Sequence, residues 1–189
     1  MLPIILASSS PRRRELLASM GIPFVTIAPD VDETTQGAPD ERVCSLAVRK
    51  ANAVREDYKD RYILAADTLV AVENEIFGKP QDADDAMRMM RALSGRRHDV
   101  YSGVCIYAPY ATKPIVRCER TRVCFSAMTE EQIRAYVATG EPMGKAGAYA
   151  IQGRAGMYVS SLEGSFTNVV GLPTCTVREM LIESGYSIQ

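Results

Sequence analysis

The segment Ser8-Ser9-Ser10-Pro11-Arg12-Arg13-Arg14 sets three hydroxyls before three consecutive arginines, directly after the apolar run Ile4-Ile5-Leu6-Ala7. Ser10 is placed to N-cap a helix with Pro11 as its first residue, so the arginines fall in a first turn whose unpaired N–H groups are already partly positive. Each exposed cation there costs about 0.3–1 kcal/mol, and Arg13 takes the capping-box position that favours Glu or Gln. A bound polyanion reverses the sign of every one of these terms. Hydroxyls, helix N–H groups and guanidiniums together make a phosphate cradle. The plain alternative is an exposed basic helix start paired with acids, and the absence of Gly-x-x-x-x-Gly-Lys excludes a P-loop.

Asp67 ends the apolar run Tyr62-Ile63-Leu64-Ala65-Ala66 and is followed by Thr68. A carboxylate in an apolar strand is paired, hydrogen-bonded, metal-bound or capping its own turn, and Asp67 fits a reactive group and a strand-end cap equally. Glu33, from the acidic loop Asp30-Val31-Asp32-Glu33, could join Asp67 as oxygen ligands of a hard divalent cation. Lys50 shares a helix face with Ala47, Ala51 and Val54, which points it inward unless it snorkels to water. Lys79, in Gly78-Lys79-Pro80, sits where a glycine permits close approach, although the tripeptide is also an ordinary turn. Gln152, between Ile151 and Gly153, offers one donor and one acceptor, the complement a nucleobase edge requires, in what is otherwise a surface loop. His98 is the one histidine, set after two arginines in an expected solvated turn. A Ser-His-Asp or Cys-His hydrolase would depend on it, and no Gly-x-Ser-x-Gly accompanies it.

The elements that must position these residues alternate between strand and helix. Strands are expected at 24–27, 62–72, 100–107, 115–125 and 157–162, and helices from Pro11 to about Met20, Pro39 to about Tyr58, Asp82 to Leu93, Thr129 to Gly140 and 174–184. Glu73-Asn74-Glu75 reads as a turn. This order gives an α/β fold around a mixed sheet flanked by helices, since the pairs at 62–72 and 98–125 resemble hairpins.

The chain has 189 residues, enough for one domain or two small lobes sharing a sheet. Its net charge of -1 excludes a general nucleic-acid or membrane-surface binder, so anion recognition must be local. Five cysteines without a C-x-x-C pair are expected as buried, reduced thiols. No run approaches a membrane span, and the cytosol is the expected compartment.

With these residues assembled, the chain resembles the Maf family of septum-formation-inhibitor-like proteins, nucleoside triphosphate pyrophosphatases of housekeeping type. The resemblance rests on Leu6-Ala7-Ser8-Ser9-Ser10-Pro11-Arg12-Arg13, Ala66-Asp67-Thr68, Gly78-Lys79-Pro80, Leu93-Ser94-Gly95-Arg96, Gly140-Glu141-Pro142, Lys145 to Gly153, and Val169-Val170-Gly171-Leu172-Pro173. Gly144 stands where the family usually has an acid, and Ser102 where threonine is more usual. The resemblance implies an elongated fold related to the inosine-triphosphate pyrophosphatases, with two lobes around a central cleft and commonly a homodimer. It implies cleavage between the α- and β-phosphates, and Arg12, Thr68 and Gln152 match the branch acting on dTTP and UTP. It assigns Asp67 as proton acceptor, Glu33 and Asp67 to a Mg²⁺ or Mn²⁺ ion, and Ser8, Arg12, Arg13, Lys50 and Lys79 to the triphosphate. Two other readings are a nucleotide-binding regulator of septum formation without turnover, and a phosphatase or nucleotidyl transferase using the same metal and cradle with a different acceptor or scissile bond.

Overall fold

The computed structural model describes residues 2–188. Its strands are β1 (Ile4–Ala7), β2 (Phe24–Ile27), β3 (Ile63–Val72), β4 (Glu75–Phe77), β5 (Arg97–Tyr107), β6 (Ile115–Phe125) and β7 (Val159–Glu163). Its helices are α1 (Pro11–Ser19), α2 (Pro39–Arg55), α3 (Ala83–Leu93), α4 (Glu130–Val137), α5 (Phe166–Val170) and α6 (Thr174–Glu183). The strands form a seven-stranded mixed sheet in the order β2-β1-β3-β5-β6-β7, with β4 pairing β3. The expected α/β class with helices flanking a mixed sheet is therefore observed.

The chain divides into two compact units. The first comprises residues 1–67, 102–119 and 171–189, the second residues 68–101 and 120–170.

In the first unit β1 lies between two parallel neighbours, with Ile5 opposite both Val25 of β2 and Ile63 of β3. All four β1 side chains are buried, as a strand covered on both faces requires. The period of two then sorts the core. Ile4, Leu6, Leu64, Ala66, Val104 and Ile106 pack with Leu17 of α1 and Val177, Met180 and Leu181 of α6. Ile5, Ala7, Ile63, Ala65, Cys105 and Tyr107 pack with Ala47, Ala51 and Val54 of α2. Asp67 has the parity of Ile63 and Ala65, so strand geometry alone turns it toward the α2 side. Gly103 lets α2 come close: a Cβ there would lie 2.3 Å from the Val43 carbonyl oxygen, and no side chain fits.

In the second unit one core joins Val70 and Val72, Phe77, Met89, Met90 and Leu93 of α3, Val123 and Phe125, Ile133 and Tyr136 of α4, and Tyr149. The expected capping box of α4 is present: Thr129 Oγ1 accepts from Gln132 N and Gln132 Oε1 accepts from Thr129 N.

Several expectations are corrected. The strand pair expected within 62–72 is one continuous strand, β3, running through Asp67, and the hairpin forms instead across the expected turn at 73–74, with Glu75 already in β4. The short α5 carries too few residues for a periodic signal and is held by Asn168, whose Nδ2 donates to the Val100 carbonyl and to Thr121 Oγ1. Residues 154–158 form a 3₁₀ turn, delaying β7 to Val159. His98 lies inside β5, 2% exposed, and is no solvated turn. Of the cysteines only Cys105 is buried. Cys44 and Cys124 are half-buried and Cys118 and Cys175 exposed, because strand or helix membership does not fix which face is covered; all five are free thiols. Among the described residues no helix is long and apolar enough to cross a membrane.

Candidate active site

The first unit sets Ser8 just past the carboxyl end of β1 and Asp67 two residues past the stretch of β3 that pairs with β1, near where open α/β sheets place their ligands. β1 ends at Ala7 and delivers Ser8, which is buried. Ser8 Oγ accepts from the Ser10 N–H at 3.1 Å, fixing the bend from strand to helix. The expected cap is otherwise absent: Ser10 occupies the N-cap position before Pro11 but makes no side-chain cap hydrogen bond, and no acid lies in the first turn of α1. The helix start thus keeps its positive character beside the half-buried Arg12 and Arg13.

Arg13 is held from the far end of the sequence, its Nε donating to the Gly171 carbonyl at 2.9 Å. Gly171 has φ 127, a left-handed conformation that favours glycine. Burial lowers the Arg13 pKa, and the carboxylates of Asp67 and Glu33 oppose that shift while Arg12 adds to it. The guanidinium remains a cation at any physiological pH.

The centre of the cluster is Lys50. Its side chain, 9% exposed, donates Nζ–H to Asp67 Oδ1 at 2.6 Å and lies 2.8 Å from Glu33 Oε1. The inward stripe of α2 and the parity of β3 both aim at this meeting. Asp67 is 14% exposed and Glu33 53%, so the ammonium is covered on one side and the outer carboxylate faces water. A buried ammonium is stable when its charge is compensated, and two carboxylates do that here. Glu33 reaches Lys50 because Arg49, the next residue on α2, pins the acidic loop by donating Nη1–H to the carbonyls of Asp32 (3.0 Å) and Thr34 (2.8 Å). Asp32 itself is turned into that loop, accepting the Thr34 N–H, which lowers its pKa.

In the second unit Thr68 is half-buried and Lys79 and Gln152 are exposed. Lys79 lines an open depression of about 550 Å³ at the start of α3, together with Asp82, Asp85 and Arg88. The Gly78-Lys79 loop is tied to the glycine-rich segment by Gly147 N donating to the Gly78 carbonyl at 3.0 Å. Gly147 has φ 68, and a Cβ there would meet Val70 at 2.7 Å, so this glycine is needed for both conformation and space. Gly144 also adopts a positive φ, and Lys145 Nζ donates to the carbonyls of Glu141 (2.5 Å) and Met143 (3.5 Å). The space beside Gly153 is filled by the carboxylate of Glu141.

The structure therefore brings together Glu33, Lys50 and Asp67, with Arg13 electrostatically coupled to both carboxylates. Ser8 and Arg12 belong to the same strand-to-helix turn. Lys79 and Gln152 stand on separate loops of the other unit. Sequence reasoning passed over three supporting residues. Arg49 gives no local signal beyond its place next to Lys50. Gly171 and Glu141 stand in motifs that carry the family resemblance, but no signal in the sequence assigned either a structural role.

Among the described residues no group of three or more His, Cys, Asp or Glu side chains is placed to hold a metal ion. Two of the site's carboxylates, Asp67 and Glu33, are of the kind that could hold a hard divalent cation such as Mg²⁺ or Mn²⁺. Such ions take one or two carboxylates and complete their shell with water and phosphate oxygens, and Asp67 and Glu33 already converge on one cation.

The family model described as Maf-like protein matches residues 3–184. The dTTP/UTP pyrophosphatase of Pelotomaculum thermopropionicum is 48% identical over 190 residues, covering 100% of both chains. That of Symbiobacterium thermophilum is 49% identical over 190 residues, covering 100% of this chain and 97% of that protein. A weaker structural likeness is to the Staphylococcus aureus Ham1 protein, with 14% identity and a TM-score of 0.43 over 66% of this chain and 72% of that one.

Proposed function

The chain belongs to the Maf family, and on that premise we propose that it is a nucleoside triphosphate pyrophosphatase hydrolysing dTTP and UTP to the monophosphate and pyrophosphate. The observation that carries the reading is the cluster in which Lys50 joins Asp67 and Glu33, beside a helix start that bears Arg12 and Arg13 and has no acidic residue in its first turn. That arrangement supplies a proton acceptor and a cationic cradle together.

In the proposed reaction Asp67 accepts a proton from the water that attacks the α-phosphorus, and the bond to the bridging oxygen of the leaving pyrophosphate breaks. Lys50 holds the Asp67 carboxylate in one orientation and compensates its charge before proton transfer; once Asp67 is neutral, Glu33 still compensates the ammonium. Ser8, Arg12, Arg13 and Lys79 bind phosphate oxygens and stabilise the charge that builds on the leaving group. A Mg²⁺ or Mn²⁺ ion held by Asp67 and Glu33 would supply further neutralisation of those oxygens. Gln152 reads the base: its amide accepts from N3–H and donates to O4 of uracil or thymine, with Thr68 and Arg12 completing the preference. The five free thiols accord with a cytosolic enzyme.

Pyrophosphate release from dTTP and UTP by the purified protein, with Mg²⁺ or Mn²⁺ and then with excess chelator, tests this. Pyrophosphate that disappears on chelation is expected. Orthophosphate instead would make the protein a phosphatase, no turnover would make it a binding regulator, and undiminished activity in chelator would remove the metal and leave Glu33 without its role.

A further inference from the structure

Gln152 is the third residue of a tight turn, Ala150-Ile151-Gln152-Gly153, closed by the Gly153 N–H donating to the Ala150 carbonyl at 3.0 Å. Its side chain is exposed, so the backbone of this turn sets where the amide points. The exit from the turn is fixed by a residue from another loop. The Glu141 carboxylate accepts the N–H of Arg154 at 3.1 Å and of Ala155 at 3.4 Å, the first two residues of the 3₁₀ turn at Arg154–Tyr158. Ala155 is fully buried, which anchors this end in the core.

Glu141 is itself held. Its N–H donates to Thr139 Oγ1 at 3.1 Å, and its carbonyl accepts from Lys145 Nζ. Gly153 is matched to it: a Cβ at 153 would lie 2.4 Å from both carboxylate oxygens. The φ of Gly153 is -106, a value any residue adopts, so its own backbone conformation does not demand glycine there. A side chain there would instead push the Glu141 carboxylate from its place. The N-terminus of the 3₁₀ turn also favours an anion at that place.

We propose that Glu141 is the positioning residue for base selection, its carboxylate clamping the 150–155 turn so that the Gln152 amide is presented in one register. The inference rests on the reading of Gln152 as the base reader. Glu141 acts through Gln152 and does no chemistry on the phosphates, so its loss is felt in which base is chosen.

The test compares kcat/KM for UTP and CTP, which present opposite donor and acceptor patterns at N3 and position 4, in wild type, Glu141→Ala, Glu141→Gln, Gly153→Ala, Gln152→Ala and the Glu141→Ala/Gln152→Ala double variant. The UTP/CTP ratio is expected to fall about 5- to 10-fold in Glu141→Ala, mainly through KM for UTP with kcat held. Glu141→Gln, which keeps one acceptor oxygen, should fall between it and wild type. Gly153→Ala, whose methyl displaces the carboxylate, should shift the ratio in the same direction, and Glu141→Ala should add nothing once Gln152 is alanine. Should Glu141→Ala fail to fold, Glu141→Gln and Gly153→Ala carry the same comparison. Equal losses for UTP and CTP, or a lowered melting temperature with an unchanged ratio, would reduce Glu141 to a structural support. If Gln152→Ala also leaves the ratio unchanged, the base-reading assignment fails and the clamp loses its purpose with it; a ratio that moves for Gln152→Ala alone overturns only the clamp.

Discussion

Each unit buries a side chain that can carry a positive charge, and the two treat it in opposite ways. In the first, Lys50 is surrounded by the oxygens of Asp67 and Glu33, so the interior holds a compensated cation. In the second, His98 is packed edge-on against Phe125 and Tyr149, with ring centroids at 5.1 and 5.4 Å, and the nearby charge of Asp99 only partly offsets the cost of burying its ring. Its Nε2 shares a hydrogen bond with Tyr149 Oη at 2.9 Å and its Nδ1 has no partner. Burial pushes the His98 pKa down to about 4, so at neutral pH the ring is uncharged. The lesson is that burial alone does not mark a reactive group. A buried charge with partners on one side and water on the other is held ready to act on a substrate, whereas a buried neutral ring is part of the packing.

Four experiments would break or sharpen that contrast. The largest effect is expected for Asp67→Asn, which keeps the size of the side chain and a hydrogen-bond acceptor for Lys50 but removes the negative charge. Turnover should fall about 10²–10⁴-fold with nucleotide affinity retained, measured as single-turnover pyrophosphate release and calorimetric binding. A variant keeping more than half of wild-type kcat would pass the proton-acceptor role to another residue.

Lys50→Met leaves two carboxylates facing each other without their cation. Removing one partner of a buried pair costs about 3–5 kcal/mol, visible as a lowered melting temperature. Adding Asp67→Asn to it should recover part of the stability and none of the activity. If the single variant melts like wild type, the ammonium is not what compensates the cluster.

The His98 contrast is read through pH. The ring's folded pKa, about 4, lies below the ordinary 6.5, so the unfolded chain binds more protons between those values. The stability associated with the neutral ring is therefore complete above pH 6.5 and is lost as pH falls toward 4, by about 3 kcal/mol at most. Chemical unfolding of wild type and His98→Gln at pH 7.5, 6, 5 and 4 isolates this from the carboxylates common to both. Parallel curves would show that the ring binds protons alike in the folded and unfolded chains, so that burial does not shift it.

The smallest effect is expected for Gln152→Glu, because the residue is exposed and water can partly satisfy a mismatched group. UTP and dTTP should lose about 3- to 10-fold in kcat/KM relative to GTP, whose edge offers two N–H donors to a carboxylate. A common factor for all three nucleotides would mean that the side chain shapes the loop and does not select the base.

The amino-acid sequence by itself determined the parts of this protein that depend on local periodicity. The apolar run of β1, the proline that opens α1 and the capping box of α4 were legible residue by residue. So was the inward face of Lys50, from its spacing with Ala47, Ala51 and Val54, although not that Asp67 would meet it there. What only the tertiary structure decided is which faces are covered and which distant groups meet. Arg13 finds the Gly171 carbonyl 158 residues away, and Glu33 is drawn to Lys50 by Arg49. His98 becomes a buried ring while Cys118 and Cys175 stay at the surface, and Glu141 fills the space that Gly153 leaves. The physical reason is range. Helix and strand periods are written in neighbours a few positions apart, whereas burial and hydrogen-bond partners depend on which elements pack together, and no short stretch of chain carries that information.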